Sequence, residues 1–300
     1  MTGRSLTIFF HRSPFEVDSC ILRSRVDHSI RSTTHPLQLR NAITALALAL
    51  NLFAIGQDSL VIEGKFDAFT TDEMGNVYAL HGDVLDLFNV KGVSWLRNSV
   101  KTFGRISTLD AFYSLKPMVF SKDQGQLAVL DNTLSVQGSV INLPRDGYPQ
   151  VVLACMSVQN SFWLFDNREL ALVRVDAQLR KLANTGRLDQ LLGITPAPAA
   201  MQEYDSRLYV NDPLHGILVF DLFGTYFKTI PILGAQSFQV REGALYYFSE
   251  GSMHVYEMKS FGIIDFPLPI EPSLVLDARV ERGKLYLLTA DRIVIHTLAQ

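Results

Sequence analysis

The chain is poor in the residues that usually announce chemistry. Its 300 residues hold two cysteines, Cys20 and Cys155, and no C-x-x-C pair. That excludes a thioredoxin-like redox motif and a zinc ribbon. Cys155, inside the apolar run VVLACMSV, reads as a small buried hydrophobe. Neither sign of charge is in excess, with a net charge of -3. Nothing in that balance resembles the electrostatic footprint of a nucleic-acid binder, and no Lys/Arg block suggests a membrane-surface patch. No G-x-S-x-G elbow and no Gly-rich phosphate loop occurs. The histidines are His11, His28, His35, His81, His215, His254 and His296, none of them in an H-x-H or H-x-x-x-H spacing. No metal cluster and no cofactor is expected.

What the chain does have is a large apolar fraction, 48%, with 10% aromatics and only 19% charged residues. This composition buries a large core and excludes a disordered or fibrous protein. Short runs of Val, Ile, Leu, Tyr and Phe lean toward β-structure.

The first 56 residues stand apart. NAITALALALNLFAI, from Asn41, follows Arg40 and precedes Gly56-Gln57-Asp58. The apolar run is about 14 residues, too short for a membrane span of about 20. A positive flank and a short Ala/Leu core predict a signal peptide over 41–56. The 40 residues before it are rich in Arg and Ser, without a period, and read as an extension or a misplaced start. Cys20 lies before the apolar run, so no lipoprotein is expected. Export places the mature chain in the periplasm without a membrane span.

From residue 57 a pattern repeats: strand, turn, apolar-aromatic strand, turn, strand. The first apolar residues of the expected second strands are Val77, Leu127, Phe162, Leu208, Leu245 and Leu285, in steps of 50, 35, 46, 37 and 40. A mean period of about 42, with roughly four strands per unit, is the signature of a β-propeller. The last unit ends after three strands, and DSLVIEGKF (58–66) is a strand without a unit. The reading is an all-β, six-bladed propeller over 57–300, closed by the N-terminal strand completing the last blade. A five- or seven-bladed ring and a β-sandwich are the competing architectures.

Candidate chemistry is sparse. Propellers bind at the mouth of the central channel, where residues end the innermost strands. Asp67, Asp110 and Asp277 share an apolar-Asp-Ala pattern and are the channel-mouth candidates. Two carboxylates there could help hold Ca²⁺, which wants six to eight oxygens. The matching positions Val152, Gln202 and Phe238 make a poor ligand set, so no metal site is predicted. Asp131, Asp166 and Asp221, expected between second and third strands, read as turn caps. Aromatics crowd 220–227 and Tyr246-Tyr247-Phe248, and alternation directs about half of them to interblade packing. Phe223, Tyr226 and Phe227 are the candidates for an exposed interaction surface. Of the two tryptophans, Trp163 sits in a strand expected to be buried, and Trp95 remains.

GQLAVLDNTLS, NSFWLFDNRELALVRVD, Leu188–Gly193 and NDPLHGILVFDLFGTYFKTIPI resemble a family of exported β-propellers from Bacteroidota. The resemblance covers nearly all of 57–300 and is most specific in the fourth unit. It implies an NHL- or YVTN-like six-bladed fold without enzymatic motifs, and it carries no catalytic residue over. It is also similar to periplasmic accessories of the type IX secretion or gliding apparatus, such as the protein that plugs the translocon channel. The implied function is a non-enzymatic interaction scaffold whose partner is a protein of the cell envelope, an outer-membrane secretion channel. A Ca²⁺-dependent, lactonase-like hydrolase and a ligand-binding propeller are the alternatives.

Overall fold

The computed structural model describes residues 59–99, 103–112 and 116–298. The expected signal peptide at 41–56 and the extension before it lie outside the described residues. The rest forms six antiparallel sheets of four strands, each made of consecutive segments except the last. The innermost strands are β2 (Ala68–Thr71), β6 (Thr108–Asp110), β10 (Val151–Ser157), β14 (Ala200–Tyr204), β18 (Ser237–Arg241) and β22 (Asp277–Glu281). Each touches the next in cyclic order, and β22 touches β2, so the six blades ring a central axis.

The sixth blade closes as the sequence requires. Strand β1 (Ser59–Glu63) pairs with β24 (Arg292–Thr297) from Ser59↔His296 to Glu63↔Arg292. Ile62 of β1 is buried with Phe69, Ile293 and Ile295.

Both faces of each blade are covered, which explains why the middle strands are nearly continuously apolar. Alternate side chains point to opposite faces. In β11 (Ser161–Asp166), Phe162 and Leu164 pack toward blade 2, while Trp163 and Phe165 pack toward blade 4. In β23 (Lys284–Leu288), Leu285 and Leu287 face blade 5, while Tyr286 and Leu288 face blade 1. Six apolar clusters result, one in each gap between blades.

Two details differ from expectation. Leu127 lies in β8 (Gln126–Val129), the third strand of its blade; the second is β7 (Met118–Ser121). Counted to Met118, the steps from Val77 and to Phe162 become 41 and 44, and the irregular spacing disappears. The inner strand of that blade is only three residues long, too short to show a period. Asp131 and Asp221 cap turns between third and fourth strands; only Asp166 lies between second and third. Their chemistry is as expected. Asp221 Oδ1 accepts the N–H groups of Phe223 and Thr225, and Asp131 Oδ1 those of Thr133 and Ser135.

The fourth blade follows its sequence closely. Strand β15 (Arg207–Asp212) ends at Asp212, whose carboxylate caps the turn at Leu214 and His215. Gly216 then opens β16 (Gly216–Asp221) at φ 106°, where an added Cβ would lie 2.5 Å from the Ile230 carbonyl oxygen. Only glycine fits there.

Candidate functional site

The inner strands build the channel wall from one repeated position. Thr70 pairs with Tyr78, Asp110 with Met118, Cys155 with Trp163, Gln202 with Tyr209, Gln239 with Tyr246 and Arg279 with Tyr286. Each large partner packs against the following blade. The six inner residues are therefore equivalent, one per blade.

Three of them tie one blade to the next. Asp110 Oδ2 accepts the Met156 N–H at 2.9 Å, Gln202 Oε1 the Val240 N–H at 2.9 Å, and Gln239 Oε1 the Val280 N–H at 3.1 Å. Adjacent blades share no strand ladder, so these side chains pair main-chain groups that need partners. Arg279 departs from this pattern, because a guanidinium has donors and no acceptor. Its Nε is buried without a hydrogen-bond partner among the described residues.

A cavity of about 250 Å³ occupies the channel, lined by Thr70, Asp110, Gln202, Arg241, Asp277 and Arg279 among others. Protein surrounds Arg279, Asp110 and Asp277, yet each keeps some surface open on the cavity. Burial pulls the Arg279 guanidinium below its ordinary pKa, opposed by nearby Asp277, while Arg241 adds to the lowering. Burial pushes the Asp110 and Asp277 carboxyls up; hydrogen bonds and Arg279 hold them partly down. Arg241 is committed elsewhere. Its Nε donates to Glu281 Oε2 at 2.7 Å, and its guanidinium carbon sits 4.2 Å above the Phe112 ring.

Asp110 and Asp277 thus come together in the channel, mainly as ties between blades. Asp277 Oδ1 accepts from Ser237 Oγ of blade 5 at 2.5 Å and from the Ala278 N–H at 2.8 Å. Asp67 does not join them. It is exposed, and its Oδ2 accepts the Gly82 N–H at 2.6 Å. The reason is register. Ala68 pairs with Leu80 as Asp277 pairs with Leu288, so Asp67 is offset by one residue from Asp277. A one-residue offset turns a side chain to the other face. Among the described residues, no three His, Cys, Asp or Glu side chains converge to hold a metal.

Sequence reasoning missed Arg279. The signal was the residue opposite a repeated large side chain, seven positions ahead of Tyr209, Tyr246 and Tyr286.

A second surface lies on the rim of blades 4 and 5. Phe223 is 79% exposed and Phe227, on β17 (Tyr226–Ile230), is 55% exposed. Arg207 lies over the Phe227 ring at 3.9 Å. Lys228 Nζ sits 6.0 Å from Phe227 and 5.4 Å from Phe261, itself 65% exposed in the next blade. Tyr226 does not belong to this surface. It is half-buried, edge-on to Phe220, with its hydroxyl 2.8 Å from Thr229 Oγ1. Trp163 is buried, its indole N–H on Glu203, and Trp95 is exposed on the outer strand of blade 1.

No protein-family model and no curated sequence matches the chain. Solved structures match its fold. Virginiamycin B lyase from Staphylococcus aureus, solved with quinupristin, superposes with a TM-score of 0.52 at 13% identity, over 82% of this chain and 83% of that one. The Pan2 WD40 domain of Neurospora crassa gives 0.50 at 9% identity, over 79% and 90%. A Bacteroides fragilis protein named for its inferred export gives 0.54 at 8%, over 81% and 96%. At these identities the likeness shows the propeller fold alone, shared by an enzyme and a WD40 domain alike; the count of six blades is read from the chain's own six sheets.

Proposed function

We propose that the chain is a non-enzymatic protein-interaction scaffold of the cell envelope, an exported accessory docked to an outer-membrane secretion channel. The observation that carries this reading is the rim of blades 4 and 5, where Phe223, Phe227 and Phe261 stand exposed beside Arg207 and Lys228. Aromatic and arginine side chains dominate the energy of protein interfaces. Clustered exposed aromatics are unusual on a surface with no partner. The export component rests on the resemblance of the fourth-blade motif and on the apolar run at 41–55. No described helix is long and apolar enough to cross a membrane.

The hydrolase reading is disfavoured by geometry. Asp110 spends both oxygens on backbone N–H groups, Asp67 lies elsewhere, and a guanidinium occupies the same channel.

The test is a mild-detergent pull-down of tagged protein from its native envelope, read by mass spectrometry. Near-stoichiometric recovery of an outer-membrane channel, lost in the Phe223→Ser/Phe227→Ser variant, supports the proposal. Recovery of the protein alone overturns it.

A further inference from the structure

We propose that the central channel is a receptor for a small carboxylate carrying a neighbouring hydrogen-bond donor, an amino acid or hydroxy acid, with Arg279 as the residue that grips it. This site is separate from the rim surface and does not depend on it.

The argument begins with the repeat. Where the equivalent position ties two blades, it holds a residue with an acceptor: Asp110, Gln202 or Gln239. Blade 6 places a guanidinium there, which cannot accept the next strand's N–H. Of the six equivalent residues, Arg279 alone carries no acceptor atom, and a local rule that one position cannot obey points to function. The substitution also costs desolvation, since burial disfavours the charged form.

The surroundings narrow the ligand. Arg241 is held by Glu281, and the Gln202 amide by Val240, through both its oxygen and its nitrogen. Arg279 is the cation of the wall left to engage a guest. A guanidinium fork matches a carboxylate in a bidentate arrangement. Asp277 bonds Ser237 and Ala278 through Oδ1 alone, which leaves Oδ2 to accept from a guest's ammonium or hydroxyl. Asp110 and Asp277 would repel a multiply charged anion, so a phosphate dianion fits poorly. The volume, about 250 Å³, suits a molecule of metabolite size.

Four probes on one three-carbon skeleton separate the elements of the claim: alanine, lactate, propionate and alaninamide. Binding is measured by calorimetry on the mature chain. Alanine and lactate should bind, propionate more weakly, and alaninamide not at all. Arg279→Gln should weaken alanine and lactate about tenfold or more, the loss of a charge-assisted hydrogen bond, and Arg279→Lys should retain part of the affinity. Circular dichroism establishes that each variant is folded. If Arg279→Gln does not fold, the Arg279 Nε–H resonance of the wild-type chain provides the readout. It should shift with lactate and stay fixed with alaninamide. Equal binding of alaninamide and lactate, or no binding by any probe at millimolar concentration, overturns the proposal. So does an unmoved Nε–H resonance. Envelope pull-down by Arg279→Gln should match wild type, so failure here leaves the rim reading standing.

Discussion

Glu203→Gln changes one atom in the middle of the ring, yet it should cost far more than a surface substitution. Glu203, 5% exposed on the inner strand of blade 4, reaches into blade 3. Its Oε2 accepts from Ser157 Oγ at 2.5 Å and Trp163 Nε1 at 2.7 Å, and its Oε1 from the Val158 N–H at 3.0 Å. Buried Arg174 donates to the same Ser157 hydroxyl at 2.8 Å. The hydroxyl therefore bridges a buried carboxylate and a buried guanidinium. A carboxamide has one acceptor oxygen, so in either orientation its NH₂ meets a donor. At least one donor is left without a partner. Unsatisfied buried groups cost about 1–3 kcal/mol each, so Glu203→Gln should destabilise by about 2–3 kcal/mol. That corresponds to a melting point lower by roughly 5–10 °C for a domain of this size. Glu203→Ala should cost about 3–5 kcal/mol. The sharper test is the double-mutant cycle. Trp163→Phe removes the indole donor, so Glu203→Gln should cost about 1 kcal/mol less in that background. Urea unfolding followed by circular dichroism reads every corner of the cycle. A cost within 0.5 kcal/mol of zero for Glu203→Gln, or no coupling to Trp163, would refute the network as the tie between blades 3 and 4.

Other outcomes follow from the same physics. His296 is buried with both ring nitrogens lacking partners among the described residues, and burial lowers its pKa from 6.5. The unfolded chain then binds the proton more readily, so stability should be full above 6.5 and fall as pH drops through the window below it. His296→Phe should flatten that dependence in a pH series of melting curves; an unchanged slope would exclude His296 as its source. Ile62→Ala in the closing strand should cost about 2–5 kcal/mol, whereas Val61→Ala, 43% exposed on the same strand, should change stability by less than about 0.5 kcal/mol. Equal costs would mean that burial of Ile62 does not hold the ring shut. The Phe223→Ser/Phe227→Ser variant should melt within a few degrees of wild type, because neither ring is buried; a large drop would make these residues structural.

The blades were legible because each middle strand must cover two gaps at once, which writes long apolar segments at a steady interval. Leu127 was misplaced because blade 2 begins on three residues, Thr108–Asp110, that carry no period of their own. The channel was half legible. Asp110 and Asp277 were found through a local Asp-Ala pattern, which also selected Asp67. A pattern along the chain cannot register a one-residue offset across the sheet, and that offset alone puts Asp67 outside. Arg279 was invisible for the converse reason: its importance lies in what three of its equivalents, Asp110, Gln202 and Gln239, do and it cannot. At the rim, Phe223, Tyr226 and Phe227 look alike in sequence. The turn capped by Asp221 leaves two of them exposed, while Tyr226 lies against Phe220.

The strand that completes the sixth blade has a kinetic meaning as well. Leu60 must find Ile295, a pairing across almost the whole domain, and loop closure of that length comes late and slowly in folding. Until then β24 shows a bare edge to its surroundings, bearing Val294 and Ile295, the kind of edge that other chains add to. The ring thus trades a protected native state for a vulnerable interval before closure. A chaperone that shields the folding chain would have most to gain by holding that one seam.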